Sequence, residues 1–176
     1  GQQTVERDGE TFEVAPRVAD PAAVYILRDM LRDVVERGTA RKALELGRGD
    51  IVGKTGTTND QRDAWFAGFN SDLVSTAWVG KDDNSSTAEY GAQAALPIWM
   101  DFMGQALEGQ PERWPDRPEN VVTERVDPDT GRLLRDGQSG GIEELFMANH
   151  LPDVQSRRVE REVERESGSQ GTGAYE

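Results

Sequence analysis

Cysteine is absent from the 176 residues, histidine occurs once, and lysine occurs only as Lys42, Lys54 and Lys81. Without cysteine, disulfides and thiolate chemistry are excluded and the redox compartment stays open. The single histidine, His150 in "MANHLPD", has no evident metal or catalytic partner, so neither a metal nor a cofactor is expected. No apolar run approaches the roughly 20 residues of a membrane span. Nor does a basic segment followed by an apolar core mark a signal peptide. Positive charge is in the minority: 20 basic residues face 33 acidic ones, a net charge of −13. That balance argues against a nucleic-acid surface and against direct attraction to anionic lipid.

Hydrophobic residues make up 35% of the chain and charged ones 30%. This composition suits one domain-sized core with appended segments that do not join it. The first element is a helix in "DPAAVYILRDMLRDVVERGTA", with Asp20 as N-cap, Pro21 where its missing N–H costs nothing, and Gly38 as the stop. Ile26, Leu27, Met30, Leu31, Val34 and Val35 recur at three- and four-residue spacing and predict a core-facing stripe. A shorter helical piece is expected over 39–46, ended by 47–50.

The period then changes. Residues 51–56, 64–69 and 73–80 read as strands, with Trp65, Ala67 and Phe69 on one side of the second and Val74, Thr76 and Trp78 on one side of the third. "NSD" between them suits a hairpin. Trp65, Phe66, Phe69 and Trp78 are expected in the core, and Arg62 and Asp63 as a surface pair. In "GAQAALPIWMDFMGQALEG" a helix is expected with Pro97 in its first turn, Gly109 at its end, and Ile98, Phe102, Ala106 and Leu107 on one face. The proline-rich 110–120 reads as a linker and 121–136 as a small β-hairpin turning at Asp127, Pro128, Asp129 and Gly131. Residues 137–176 read as an acidic, largely disordered tail, with a solvated helical turn conceivable around Val159 and Val163.

The stretch "DIVGKTGTTNDQRDAWFAGF" concentrates the chemistry. A phosphate-binding loop needs G-x-x-x-x-G-K-[ST] opening a helix. Here Arg48 stands five residues before Gly53, and a strand follows Thr58-Asn59-Asp60, which read as a turn. Nucleotide binding is therefore disfavoured. The bland alternative is that Lys54 is a solvent-exposed strand residue. The other is K-T-G chemistry, which accompanies S-x-x-K and S-D-N in penicillin-binding sites.

The segments "GKTGTTND", "RDAWFAGF", "TAWVGKDD" and "ALPIWMDFM", together with the helix "ILRDMLRDVVERGTA", closely resemble the end of the transpeptidase domain of bifunctional class A penicillin-binding proteins, the 1A group in particular. The resemblance covers roughly residues 14–107 and is most specific over 53–69. It implies an α+β fold, an antiparallel sheet flanked by helices and forming part of the penicillin-binding protein/β-lactamase-like transpeptidase fold, with residues 1–109 as the C-terminal portion of that domain. It also implies that Lys54 faces a nucleophilic serine, and that Thr55 and Thr57 offer hydroxyls to the terminal carboxylate of a D-Ala-D-Ala stem peptide or of a β-lactam. The Thr57 N–H would form one arm of an oxyanion hole, and Gly56 would leave room for the acyl chain. Lys54 and Thr57 are thus the expected catalytic residues, and Thr55, Gly56 and Thr57 the expected substrate-binding ones.

The three lysines are preceded at the required distance by Thr39, Ile51 and Trp78, so S-x-x-K is missing; S-x-N is missing too. The expectation is a C-terminal part of a longer peptidoglycan D,D-transpeptidase that is inactive by itself. The nucleophile, a membrane anchor and a glycosyltransferase domain would lie upstream, and the parent would act on the periplasmic side of the bacterial inner membrane. The alternatives are a noncatalytic interaction module, or a D,D-carboxypeptidase or β-lactamase-type hydrolase of the same fold.

Overall fold

The computed structural model describes residues 3–7, 9–14 and 16–154. The chain divides into two units, 1–117 and 118–176. The expectation of a disordered tail, with its helical turn near Val159 and Val163, falls outside the described residues from position 155 onward.

The first unit opens with a hairpin, β1 (Gln3–Arg7) against β2 (Glu10–Val14). Helix α1 (Pro21–Glu36) follows, and Asp20 caps it by accepting hydrogen bonds from the Ala22 and Ala23 N–H groups. A 3₁₀ turn (Arg41–Leu46) ends on Gly47 at φ 66°, a left-handed conformation that glycine adopts without strain. The central sheet is antiparallel in the order β3 (Val52–Thr57), β4 (Asp63–Phe69), β5 (Val74–Gly80). Asn70 makes the β4–β5 turn: its side-chain oxygen accepts from Asp72 and Leu73 N–H. Between β3 and β4 the left-handed residues are Asp60 and Gln61.

Register places Lys54, Gly56, Trp65, Ala67, Thr76 and Trp78 on one sheet face, and Gly53, Ala64, Phe66, Gly68 and Ala77 on the other. Among the described residues, only the second face is covered. Helix α2 (Gly91–Ala106) lies on it, and Trp99 meets Phe66 edge-on with ring centroids 4.8 Å apart. Gly53 and Gly68, paired across the strands, make this contact possible. A Cβ on Gly68 would stand 2.7 Å from the Trp99 ring, and one on Gly53 2.5 Å from the Phe66 ring.

Several expectations are corrected. Of the expected core aromatics Phe66 is fully buried, but Trp65 and Trp78 are 42% and 48% exposed, tilted against each other on the open face. The α1 stripe divides: Val35 is buried and Val34 packs on the core, whereas Leu27 and Met30 are more than half exposed and Arg28 is buried instead. In α2 Pro97 lies inside the helix, because the alanine-rich run from Gly91 starts it earlier. Its inward face is Ala95, Leu96, Trp99, Met103 and Leu107, while Ile98, Phe102 and Ala106 point outward. Arg62 pairs with Asp60, and Asp63 accepts from the Trp78 indole N–H.

Residues 110–114 are pinned rather than free. Arg48 donates to the Gln110 carbonyl, Arg113 N–H to Asp50, and the Trp114 indole to the Gly49 carbonyl. In the second unit, β6 (Val121–Val126) pairs in antiparallel fashion not with 133–136 but with β7 (Ile142–Met147), inside the stretch expected to be disordered. Asp127 and Gly131 do form the expected turn, and Leu133 adds a bridge to Val126. The alternation of Glu143, Glu144 and Leu145 with Ile142 and Phe146 is too irregular to announce β7.

Candidate active site

The four residues of interest occupy the upper half of β3, an edge strand. In an antiparallel ladder, the N–H and C=O of alternate residues point to the same side. Thr58 N–H donates to the Asp63 carbonyl, so even-numbered positions face β4, while Thr55 and Thr57 direct their backbone groups to the open edge. Lys54 is solvent-exposed, and its Nζ bends over that edge to donate to the Thr55 carbonyl at 2.8 Å, lying 3.5 Å from the Thr55 hydroxyl. The Thr55 side chain points to the opposite face from Lys54. There its hydroxyl lies 2.7 Å from that of Thr39, in the loop that follows α1.

The Thr57 hydroxyl accepts from the Gly91 N–H at the start of α2, at 3.1 Å. Gly91 approaches the sheet so closely that a Cβ there would lie 2.5 Å from the Gly56 carbonyl and 2.4 Å from that of Trp65. Only glycine lets the helix begin at this point. Between these elements lies a cavity of about 340 Å³, lined by Thr39, Thr55, Thr57, Tyr90, Gly91 and Gln93, among others.

The structure thus brings Thr55 and Thr57 together on one wall, sets the Lys54 ammonium at its rim, and turns Gly56 to the other face of the strand, where its missing Cβ accommodates Trp65. Thr39, Tyr90, Gly91 and Gln93 were not legible in the sequence as site residues. The one available signal was a glycine at the head of a helix with no side-chain cap.

Below the site, Asp50 is wholly buried and anchors the base of β3. Arg48 grips both its oxygens, Asn70 and Arg113 N–H donate to Oδ2, and Arg28 donates to its carbonyl. Burial alone would raise the Asp50 carboxyl, but the hydrogen bonds from Arg48, Arg113 and Asn70 and the Arg48 charge hold it below the usual carboxylate range. Arg28 is lowered by burial, against the pull of Asp50, and its guanidinium lies 4.5 Å from the centre of the Trp114 ring.

No protein-family model matches the chain. Individual relatives do. Penicillin-binding protein 1A of Pseudomonas aeruginosa is 44% identical over 155 residues, which are 86% of this chain and 19% of that protein. The 1A protein of Neisseria lactamica is 44% identical over 133 residues, 70% of this chain and 17% of that protein. The crystal structure of penicillin-binding protein 1A from Haemophilus influenzae superposes with a TM-score of 0.73 at 36% identity, over 82% of this chain and 23% of that one. Fold and sequence are therefore those of a penicillin-binding protein. Within that class the chain belongs to the 1A group, and it spans about a fifth of the length of the curated relatives it matches.

Proposed function

We propose that this chain supplies the Lys54 strand to the active site of a peptidoglycan D,D-transpeptidase whose nucleophilic serine lies in sequence outside these 176 residues. The observation that carries the reading is the edge strand β3, which offers the Thr57 N–H, two hydroxyls and one ammonium along a single open edge. The kinship with 1A proteins, matched over about a fifth of their length, supports it.

In this reading the serine Oγ attacks the penultimate D-alanine carbonyl of a stem peptide. The carbonyl becomes an oxyanion to which Thr57 N–H donates, a contact worth about 3 kcal/mol for one such donor. Terminal D-alanine leaves with the proton, and the amine of a second stem peptide then takes the acyl group from the serine. Lys54, as an ammonium, lowers the cost of negative charge near the serine and assists the proton's transfer. Thr55 and Thr57 hold the terminal carboxylate, or that of a β-lactam. The parent protein acts at the outer face of the bacterial inner membrane, and the 176 residues alone do not acylate.

Labelling the full-length polypeptide with fluorescent penicillin tests this. Lys54→Ala is expected to lower the labelling rate by roughly 10²-fold or more, the scale of lost proton-transfer catalysis. Undiminished labelling would refute the role of Lys54.

A further inference from the structure

We propose that Thr39 is a positioning residue for carboxylate recognition: its hydroxyl donates to Thr55 and thereby commits the Thr55 proton to the ligand. The inference rests on the proposed function and adds to it a residue outside the K-T-G strand.

A threonine hydroxyl has one proton to give and two lone pairs to accept with. Thr57 is already constrained. Its oxygen accepts from the Gly91 N–H, a group that can only donate, so the hydroxyl proton is left for another acceptor. Thr55 is constrained similarly from one side, by the Lys54 ammonium 3.5 Å away, another pure donor. Its second neighbour is Thr39, at 2.7 Å, where either oxygen could be the donor. When an anion enters the cavity, the arrangement of lowest energy has Thr39 donating to Thr55 and Thr55 donating to the anion. The chain of hydroxyls polarises in one direction and each bond strengthens the next.

Thr55 and Thr57, two residues apart on one strand face and lining one cavity, then act as a pair of outward donors matched to the two oxygens of a carboxylate. Without the Thr39 hydroxyl, Thr55 loses the partner that orients it and its proton is free to turn away. Thr39 itself stands at the end of the α1 loop and makes no demand on the core.

The test compares acylation of the full-length polypeptide by a penicillin with acylation by its methyl ester, which lacks the anionic group. In the wild type the acid is expected to react faster. Thr39→Val is expected to slow the acid about five- to tenfold, the scale of one neutral hydrogen bond, while leaving the ester rate unchanged. Thr39→Ser is expected to restore the acid rate. Equal loss with both probes, retention of the wild-type acid rate in Thr39→Val, or a wild type indifferent to the acid would each overturn the inference. If Thr39→Val lacks a thermal unfolding transition, Thr39→Ala is read by the same criterion. Lys54→Ala separates the two levels: it should slow both probes, and if it slows neither, the transpeptidase reading fails whatever Thr39 does.

Discussion

Arg48 holds Asp50 from two directions at once, Nε to Oδ1 and Nη2 to Oδ2, each at 2.9 Å. The carboxylate is wholly buried, and the Arg48 side chain is only 12% exposed. Asp50→Ala should therefore cost about 3 kcal/mol in the full-length protein, because it strands a largely buried guanidinium and removes the acceptor of Asn70 and Arg113. Limited trypsin digestion offers a local readout. Cleavage after Arg113 should accelerate in the variant, and an unchanged cleavage rate would show that Asp50 does not hold 110–114 in place.

The same carboxylate sets an acid limit. Its folded-state value lies below the unfolded one of about 3.9, so its contribution is fully present above that pH and is lost as the pH falls through the folded value. Thermal midpoints of wild type and Asp50→Asn should differ most near neutrality. The gap should close at pH values below the folded one, and a gap that persists there would contradict the assignment.

Gly68 gives a packing test. Adding a methyl would press it against the Trp99 and Phe66 rings and the Val52 carbonyl, all within 3 Å. Gly68→Ala should destabilise by about 1–3 kcal/mol, the usual range for an overfilled core. Combining it with Trp99→Phe should recover part of the loss in denaturant titrations. If instead the two costs simply add, the ring is not the obstacle.

The 176 residues taken alone should behave poorly. Leu27 and Met30 on α1, Trp65 and Trp78 on the sheet, and Ile98 and Phe102 on α2 leave three apolar surfaces open to water. The expected state binds a hydrophobic dye, has weak near-ultraviolet circular dichroism and takes no label from fluorescent penicillin. A sharp cooperative unfolding transition would count against the first two expectations, and covalent labelling against the third.

How far the sequence carries can be judged residue by residue. The caps and breaks of α1, the three central strands, the sides taken by Trp65 and Trp78, and the placement of Thr55 and Thr57 two apart on one strand all follow from local chemistry: Asp before Pro, a period of two, Asn at a turn. The sequence was less informative about which apolar face is covered. Trp65 and Phe66 look equivalent as neighbours on a strand, and so do Phe102 and Met103 on a helix. Periodicity marks a face as apolar, but only the packing of α2 on one side of the sheet makes Phe66 and Met103 interior and leaves Trp65 and Phe102 outside.

The pairing of β6 with β7 was hidden for a related reason. Closing the 15-residue gap between Val126 and Ile142 depends on long-range pairing, which local turn signals at Asp127 and Gly131 could not foretell.

By itself, then, the sequence determined the kind of protein and singled out the strand proposed to carry its chemistry, because short motifs fix backbone alternation and side-chain type at consecutive positions. Tertiary structure alone decided that Thr39, Gly91 and Gln93 share a cavity with Thr55 and Thr57. Those residues come from three separate segments, and what joins them is the close approach of helix to strand permitted at Gly91, a distance no local pattern encodes.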